Sequence, residues 1–331
     1  MSSSDTFESA IGPAILRYLD LKRALGRRAD TARYILSQLD GFLVNEVPGD
    51  LNSKTFDTWC SSLDHLAAST RRSRMQVVYQ FCLFRRRSEP TCFLPDPTQF
   101  PPSPPRPWPY IFSEEDIRRL LLVADSLRPH PGSPLHQQVC RIAIVLLYTT
   151  GLRRGELVRL RLGDYDPGEQ VLLVRESKFY KSRLVPLSED AVANLSRYLD
   201  CRRRTHFPCG DDRPLLIHRH GALTGYSGPG LGHLLHKLFL EAGVRTSAGR
   251  TPRTHDLRFT FAVHAMLRWY RAGVDVQVRL PALSIYMGHA SVVSTQYYLA
   301  FLNTIAEAAG DRFEKHCSRF LQTPSFEGGE V

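Results

Sequence analysis

A run of prolines divides this chain and limits what it can fold into. Residues 95–110, with the sequence PDPTQFPPSPPRPWPY, hold eight of the 22 prolines. Proline fixes φ and has no backbone N–H, so such a run is excluded from helix interiors and central strands. This composition favours a stiff, extended linker. We therefore predict two domains, residues 1–94 and 111–331, because 331 residues are enough for each domain to have its own core.

The first predicted domain is helical throughout. Apolar residues recur every three or four positions in AILRYLDLKRAL, ARYILSQLDGFLVNEV and STRRSRMQVVYQFCLFRRR, which is the period of an amphipathic helix. In the third stretch the predicted buried face consists of Val77, Val78, Phe81 and Phe84.

Arginines cluster at both ends of this third stretch. The six are Arg71, Arg72, Arg74, Arg85, Arg86 and Arg87. In one interpretation they are solvated helix ends. In the other they contact the phosphates of a nucleic-acid duplex, which arginine and lysine side chains commonly bind.

The second domain begins with helices. Ser113 followed by Asp116 predicts a capping box at the start of an apolar helix. Residues 135–149 predict a buried helix that Gly151 ends, and a new helix starts at residues 155–157.

A hairpin and further helices follow. Two β-rich runs around a polar turn in QVLLVRESKFYKSRLVPLS predict a β-hairpin. Residues 206–230, rich in glycine and histidine, are expected to be a loop before the last helices. The fold class is therefore mostly α with a small antiparallel β-hairpin, which makes the second domain α+β.

The formal net charge of +10 favours a polyanionic partner, nucleic acid before an acidic membrane. The chain uses 37 arginines and only six lysines, so a lysine at a motif position carries extra information. The N-terminus MSSSDTFESA lacks the features of a secretion signal, and no apolar run is long enough to span a membrane. We expect a cytoplasmic protein.

No metal or cofactor site is predicted. The seven cysteines are scattered without a C-x-x-C pair, as in proteins of a reducing compartment. His206 with Cys209, or His218 with His220, would be the candidate metal ligands, but loop histidines are more often solvated. A glycine-rich phosphate loop is also missing, which argues against a nucleoside-triphosphate enzyme.

Cationic and proton-transferring residues recur at the ends of the predicted elements. They are Arg153, Lys178, His255, Arg258 and His289, with a tyrosine pair nine residues after the last of them. Two guanidinium groups can bind the oxygens of a phosphate and offset the charge of a pentavalent transition state. Imidazole groups can move protons or donate hydrogen bonds to those oxygens.

Four stretches resemble the sequence boxes of the tyrosine recombinase (phage integrase) family. LLYTTGLRRGELVRL is similar to the box with the first catalytic arginine, and SKFYKSRLVPL to the lysine-bearing hairpin. HDLR resembles the His-x-x-Arg box, and YMGHASVVSTQYYLAF the Gly-His and tyrosine box. The resemblance covers about residues 111–315, and the first domain resembles the family's core-binding domain in layout only.

The resemblance implies a role for each motif residue. Arg153 and Arg258 would clamp the phosphate, and Lys178 would protonate the leaving group. Lys181 would be a contact to the DNA backbone or an exposed residue. His255 would act as base or phosphate donor, and His289 would hydrogen-bond the phosphate.

The tyrosine pair leaves a choice of nucleophile. The family motif aligns the nucleophile with Tyr298. Periodicity agrees, because Tyr297 lies four residues after Val293 on an apolar stripe, whereas Tyr298 lies four after Ser294 on a polar one. A free phenol has a pKa of about 10, so a cationic pocket or a base would have to activate it.

The implied activity is cutting and rejoining double-stranded DNA through a 3′-phosphotyrosine, without ATP, metal or cofactor. The two domains would clamp the duplex, and a tetramer would assemble on it, formed by this chain alone or together with related recombinases. A helix from about residue 305, including DRFEKHCSRF, resembles the one that docks on a neighbouring subunit. The alternatives are a DNA-binding partner that does not cut and a topoisomerase.

Two features depart from the family pattern. Phe259 stands where many relatives have another histidine. The segment between Arg258 and His289 is longer than usual by about two helical turns.

Overall fold

The chain divides into two units, Met1–Pro107 and Trp108–Val331. The computed structural model describes residues 6–27, 29–46, 49–103, 108–128, 133–175, 182–205, 207, 209–220, 222–288 and 298–299.

The described part of the first unit is helical, as predicted. Its α-helices are α1 (Gly12–Ala24), α2 (Asp30–Asn45), α3 (Ser53–Ser62) and α4 (Ala68–Arg85). Each helix places apolar residues in one shared core, among them Ile15, Leu36, Trp59 and Phe81. On α4, Val78 and Phe81 are fully buried, while Val77 and Phe84 pack against the core from its edge.

The proline-rich segment belongs partly to this first unit. Pro97–Gln99 form a 3-10 turn, which Asp96 caps by accepting a hydrogen bond from the Thr98 N–H at 2.9 Å. The Phe100 ring is buried, with its centre 6.3 Å from that of Tyr79. Burying an aromatic ring is favourable even when prolines surround it in the sequence. The folded part of the first unit therefore extends past residue 95, where the linker was predicted to begin.

Arg85 corrects one prediction about the arginines of α4. Its side chain is buried, and it donates to both carboxylate oxygens of Asp50, at 2.7 and 3.0 Å, and to Glu89. A guanidinium held in this way is part of the fold of the first unit. A side chain buried and paired in this way is not available to a phosphate, which contradicts the prediction for Arg85.

Four of the other five arginines of this group have local partners. Arg71 pairs with Asp64, Arg72 donates to the Pro101 carbonyl at 2.7 Å, and Arg86 donates to the Cys92 carbonyl at 3.2 Å. The Arg74 guanidinium lies 5.7 Å from the centre of the Tyr34 ring. Arg87 is exposed.

The second unit begins with a capped helix. The Ser113 hydroxyl accepts the Asp116 N–H at 3.1 Å, and the Asp116 carboxylate accepts the Ser113 N–H at 2.9 Å, which confirms the capping box. The α-helices of this unit are α5 (Glu114–Ser126), α6 (His136–Thr150), α7 (Arg154–Leu157), α8 (Glu189–Arg204), α9 (Gly228–Glu241), α10 (Asp256–Arg271) and α11 (Val276–Met287).

The strands form two small antiparallel sheets. One has the order β1 (Tyr165–Asp166), β2 (Val171–Val174), β3 (Arg183–Pro186), and the other pairs β4 (Ile217–His220) with β5 (Ala222–Gly225). The β2–β3 hairpin confirms the prediction, with Val171 opposite Pro186 and Val174 opposite Arg183. Together with the helices it confirms the predicted fold class.

The β4–β5 hairpin corrects the prediction of a loop at residues 206–230. Glycine suggested a turn, but Gly225 serves close packing, because a Cβ there would lie 2.8 Å from the Pro214 side chain. The apolar residues Leu215, Leu216 and Ile217 are buried and hold the hairpin on the core. None of the helices in the described ranges is long and apolar enough to cross a membrane.

We expect Arg85→Ala to lower the free energy of unfolding of the first unit by about 1–3 kcal/mol, the value of hydrogen bonds to charged groups. Its partner Asp50 is half exposed and regains water, which keeps the loss below that of a fully buried pair. Arg87→Ala, an exposed change just beyond the same helix, should stay within about 0.5 kcal/mol of the unchanged protein. Urea unfolding measures both, and equal effects would contradict the assignment of Arg85 to the core.

Candidate active site

The site starts at the break between α6 and α7. Gly151 ends α6 with φ at 61°, a left-handed conformation that favours glycine. A Cβ there would also lie 2.5 Å from the Phe261 ring, so any larger residue would collide with α10. The turn places Arg153, in extended conformation, directly before α7.

A buried carboxylate lies at the centre of the site. Glu156 is 3% exposed and accepts the Arg153 N–H at 3.0 Å and the Arg153 Nη1 at 2.7 Å. The two Nη atoms of Arg183 reach its two oxygens at 3.2 and 2.9 Å. Burial alone would raise the pKa of Glu156, but the hydrogen bonds and charges of Arg183 and Arg153 outweigh it and lower the pKa to about 2.

Three arginines bind consecutive carbonyl groups at the end of α11. Arg183 Nε donates to Tyr286 O at 2.7 Å, Arg258 Nη2 to Met287 O at 2.6 Å, and Arg153 Nη2 to Gly288 O at 3.1 Å. We call these three residues the arginine cluster. Carbonyls at a helix C-terminus lack intrahelical partners and carry partial negative charge, so guanidinium groups stabilise them.

Arg258 and His255 lie at the start of α10. Arg258 is 1% exposed and also donates to Gly151 O at 2.6 Å, so it joins the α6–α7 turn to the end of α11. Desolvation first, and then the charges of Arg258 and Arg153, lower the pKa of His255 below its ordinary value. The His255 imidazole is therefore neutral at pH 7 and can accept a proton.

Tyr298 lies next to these residues. It is 3% exposed and lies in an apolar cluster with Met266 and Met287. Its electrostatic interaction with Arg258 opposes the lowering of the Arg258 pKa by burial. The Phe259 ring packs edge-on against Tyr298, with 5.0 Å between ring centres, and against His255, with 5.3 Å. The departure at position 259 therefore lies between the predicted base and the predicted nucleophile.

The burial of Tyr298 corrects the argument from periodicity, which placed it on a polar face. The walls of its apolar environment come from α10 and α11, and local spacing contains no information about them. Tyr297, the predicted packing residue, lies outside the described residues.

The structure brings together four of the six predicted catalytic residues: Arg153, His255, Arg258 and Tyr298. Lys178, Lys181 and His289 lie outside the described residues, as does the terminal helix predicted from about residue 305. The described strand β3 begins two residues after Lys181, and its first residue is Arg183.

Sequence reasoning missed Glu156 and Arg183, since its list of site residues contained no carboxylate. The signal for Glu156 was a charge three residues after Arg153 and directly before the buried Leu157.

The three guanidinium groups of the arginine cluster and the carboxylate of Glu156 together have a net charge of +2. Such a set can hold an anionic group beside a neutral imidazole and a phenol.

Comparison with known proteins identifies similar sequences. The model of the phage integrase family matches residues 111–303. The putative integrase/recombinase y4rB of Sinorhizobium fredii is 31% identical over 321 residues, which cover 93% of this chain and 98% of that protein. Tyrosine recombinase XerD of Caulobacter vibrioides is 29% identical over 278 residues, 83% of this chain and 84% of the relative.

Solved structures share the fold. The site-specific recombinase XerH, bound to its palindromic difH substrate in a post-cleavage complex, superposes with a TM-score of 0.61 at 16% identity, covering 95% of this chain and 92% of that one. The integrase of transposon Tn1549 in complex with transposon right end DNA gives a TM-score of 0.59 at 17% identity, with 86% and 94% covered.

Glu156 predicts a pH dependence of stability. Its folded pKa of about 2 lies below the ordinary value of 4.5, so its contribution is complete above about pH 5 and disappears as the pH falls towards 2. At neutral pH, Glu156→Gln should lower the free energy of unfolding by about 3 kcal/mol, as expected when one partner of a buried ion pair is removed.

The difference in free energy of unfolding between Glu156→Gln and the unchanged protein should shrink as the pH falls from about 5 towards 2. Denaturant titrations at each pH measure this difference. Glu169→Gln, an exposed change in the same unit, is the control and should stay within about 0.5 kcal/mol throughout. A difference that stays constant with pH would contradict the lowered pKa.

Proposed function

We propose a function from the premise that this chain belongs to the phage integrase family. In this proposal the protein is a site-specific DNA recombinase whose Tyr298 forms a covalent bond to a backbone phosphate. This membership confirms the predicted resemblance to the family. The observation that carries the finer proposal is that Arg153, from the turn after α6, lies close to His255 and Arg258, from the start of α10. Tyr298 interacts electrostatically with Arg258 and packs on the Phe259 ring, which also contacts His255.

In the proposed first step, the phenol oxygen of Tyr298 attacks the phosphorus as the phenol loses its proton. The bond from phosphorus to the 5′ oxygen breaks, and that oxygen takes up a proton to become a hydroxyl. The products are a 3′-phosphotyrosine and a free 5′ hydroxyl. Rejoining is the reverse, with the 5′ hydroxyl of a new strand attacking and Tyr298 leaving, so the bond energy is retained without ATP.

The described residues have defined parts in this chemistry. Arg153 and Arg258 would stabilise the negative charge that develops on the non-bridging oxygens, which a preorganised, desolvated site does most effectively. His255, neutral at pH 7, would accept a proton or donate a hydrogen bond to the phosphate. Lys178 and His289 stay proposals from the motif, as leaving-group acid and phosphate donor.

The proposal requires a rearrangement around the nucleophile. Tyr298 is buried against Phe259, so its hydroxyl must become accessible to a phosphate when the duplex binds.

A second proposal concerns assembly. Two pairs of strands would be exchanged in turn within a tetramer on DNA, and the reaction would serve a mobile element.

A suicide DNA substrate, nicked beside the cleavage point so that the released fragment diffuses away, tests the nucleophile. We expect a protein–DNA adduct with the unchanged protein and with Tyr297→Phe, and none with Tyr298→Phe, since only the latter lacks the attacking oxygen. Denaturing gel electrophoresis measures the adduct.

An adduct with Tyr298→Phe would reject the assignment of the nucleophile. Specific binding without an adduct on any substrate would favour the DNA-binding partner that does not cut. Relaxation of plasmids without sequence preference would favour the topoisomerase.

The exposed arginines at the end of α4 are proposed phosphate contacts. We expect Arg86→Ala combined with Arg87→Ala to reduce the slope of log affinity against log salt by about 1 to 2, since each lost phosphate contact lowers it by about 0.9. Arg17→Ala, an exposed arginine of α1, is the control and should leave the slope unchanged. Fluorescence anisotropy at several salt concentrations measures the slope, and an unchanged slope in the double variant would contradict these contacts.

A further inference from the structure

Arg183 is the member of the arginine cluster that the sequence motifs do not select. It is the first residue of β3, opposite Val174 in the hairpin. Its side chain is only 10% exposed and binds two separate elements, the Glu156 carboxylate and the Tyr286 carbonyl. Arginine suits this position because its planar guanidinium donates in several directions at once, which a lysine ammonium cannot reproduce.

A second observation connects Arg183 to the predicted Gly-His pair. Gly288 has φ at +66°, and a Cβ on it would lie 2.8 Å from Arg183 Nη1 and 3.1 Å from Cζ. The guanidinium thus packs directly on the backbone of the residue before His289. The backbone angle favours glycine at position 288, and a Cβ there would displace the Arg183 guanidinium from its hydrogen bonds.

The strand of Arg183 contacts α11 a second time. The Tyr286 hydroxyl donates to the Pro186 carbonyl at 3.3 Å, and the Tyr286 ring stacks on Phe261 with 5.4 Å between centres. Strand β3 therefore holds the last turn of α11 through two side-chain to main-chain bonds, one from the Arg183 side chain to the Tyr286 carbonyl and one from the Tyr286 side chain to the Pro186 carbonyl.

We propose that Arg183 is a positioning residue, which holds Glu156 and the last turn of α11 in one arrangement and so sets the position of Arg153 at the phosphate. The inference rests on the proposed function. In this role Arg183 acts through Glu156 and the α11 main chain. It also joins the lysine-bearing hairpin to the rest of the site.

The charge balance gives the role a measurable signature. Without Arg183, the buried carboxylate of Glu156 keeps the desolvation that raises its pKa and loses the foremost partner that lowers it. Glu156 then takes up a proton at higher pH and holds Arg153 less firmly. The rate of adduct formation in an Arg183 variant should therefore fall off at a higher pH than in the unchanged protein.

The test compares Arg183→Ala and Arg183→Lys with Arg202→Ala. Arg202 is an apt control because it is also a buried arginine of the second unit, donating to Pro214 O at 2.6 Å and Leu215 O at 2.9 Å. Adduct formation on the suicide substrate and DNA affinity are measured across the pH range, with each rate corrected for the folded fraction.

We expect Arg183→Ala to slow adduct formation about 100-fold, the effect of misplacing a reacting group by about 1 Å. DNA affinity should stay nearly unchanged, and the acid limb of the rate should move to higher pH. Arg183→Lys should recover part of the rate and serves if the alanine variant does not fold. Arg202→Ala should lower stability without moving the acid limb. The proposal is overturned if affinity falls as much as rate, or if both alanine variants move the acid limb equally.

Amide hydrogen exchange separates this inference from the proposed function. If the unchanged protein forms no adduct on any substrate, the proposed function fails, but exchange at residues 285–288 still tests Arg183. Faster exchange there in Arg183→Ala than in Arg202→Ala supports the positioning role. Equal exchange in the two variants overturns it.

Discussion

The candidate active site of the second unit depends on the buried carboxylate of Glu156. An unpaired carboxylate with so little exposure would cost several kcal/mol, so Glu156 is stable only with its two guanidinium partners and the Arg153 N–H in place. These partners belong to the turn after α6 and to strand β3, and both also reach the end of α11. Satisfying one charge therefore fixes three elements relative to one another.

The local parts of this arrangement could be predicted from the sequence. The Ser113 capping box, the helix end at Gly151 and the β2–β3 hairpin each depend on residues close together in the chain. Arg153, His255 and Arg258 were found because they lie within short motifs. Glu156 and Arg183 were missed because their pairing joins residues 27 positions apart, and no periodicity within either segment indicates it.

The wrong predictions have related causes. Arg85 was grouped with exposed arginines because charged side chains usually lie at the surface. Its ion pairs with two carboxylates offset the free-energy cost of burying it. Gly225 was interpreted as part of a loop, although it allows a close approach within a hairpin. Tyr298 was placed by local spacing, whereas the packing of α10 and α11 determines its environment. In each case a tertiary partner outweighs the local signal.

The contact between Gly151 and Phe261 has a consequence for how such a site can vary between species. Because the ring occupies the space of a Cβ at position 151 and stacks on Tyr286, an enlargement there would displace the aromatic pair and, with it, a carbonyl bound by Arg183. A smaller residue at position 261 would give a Cβ room but would leave the left-handed φ of 61° at position 151, which strains any other residue. Position 151 therefore has two independent reasons to stay glycine, and a replacement of Phe261 removes only one of them.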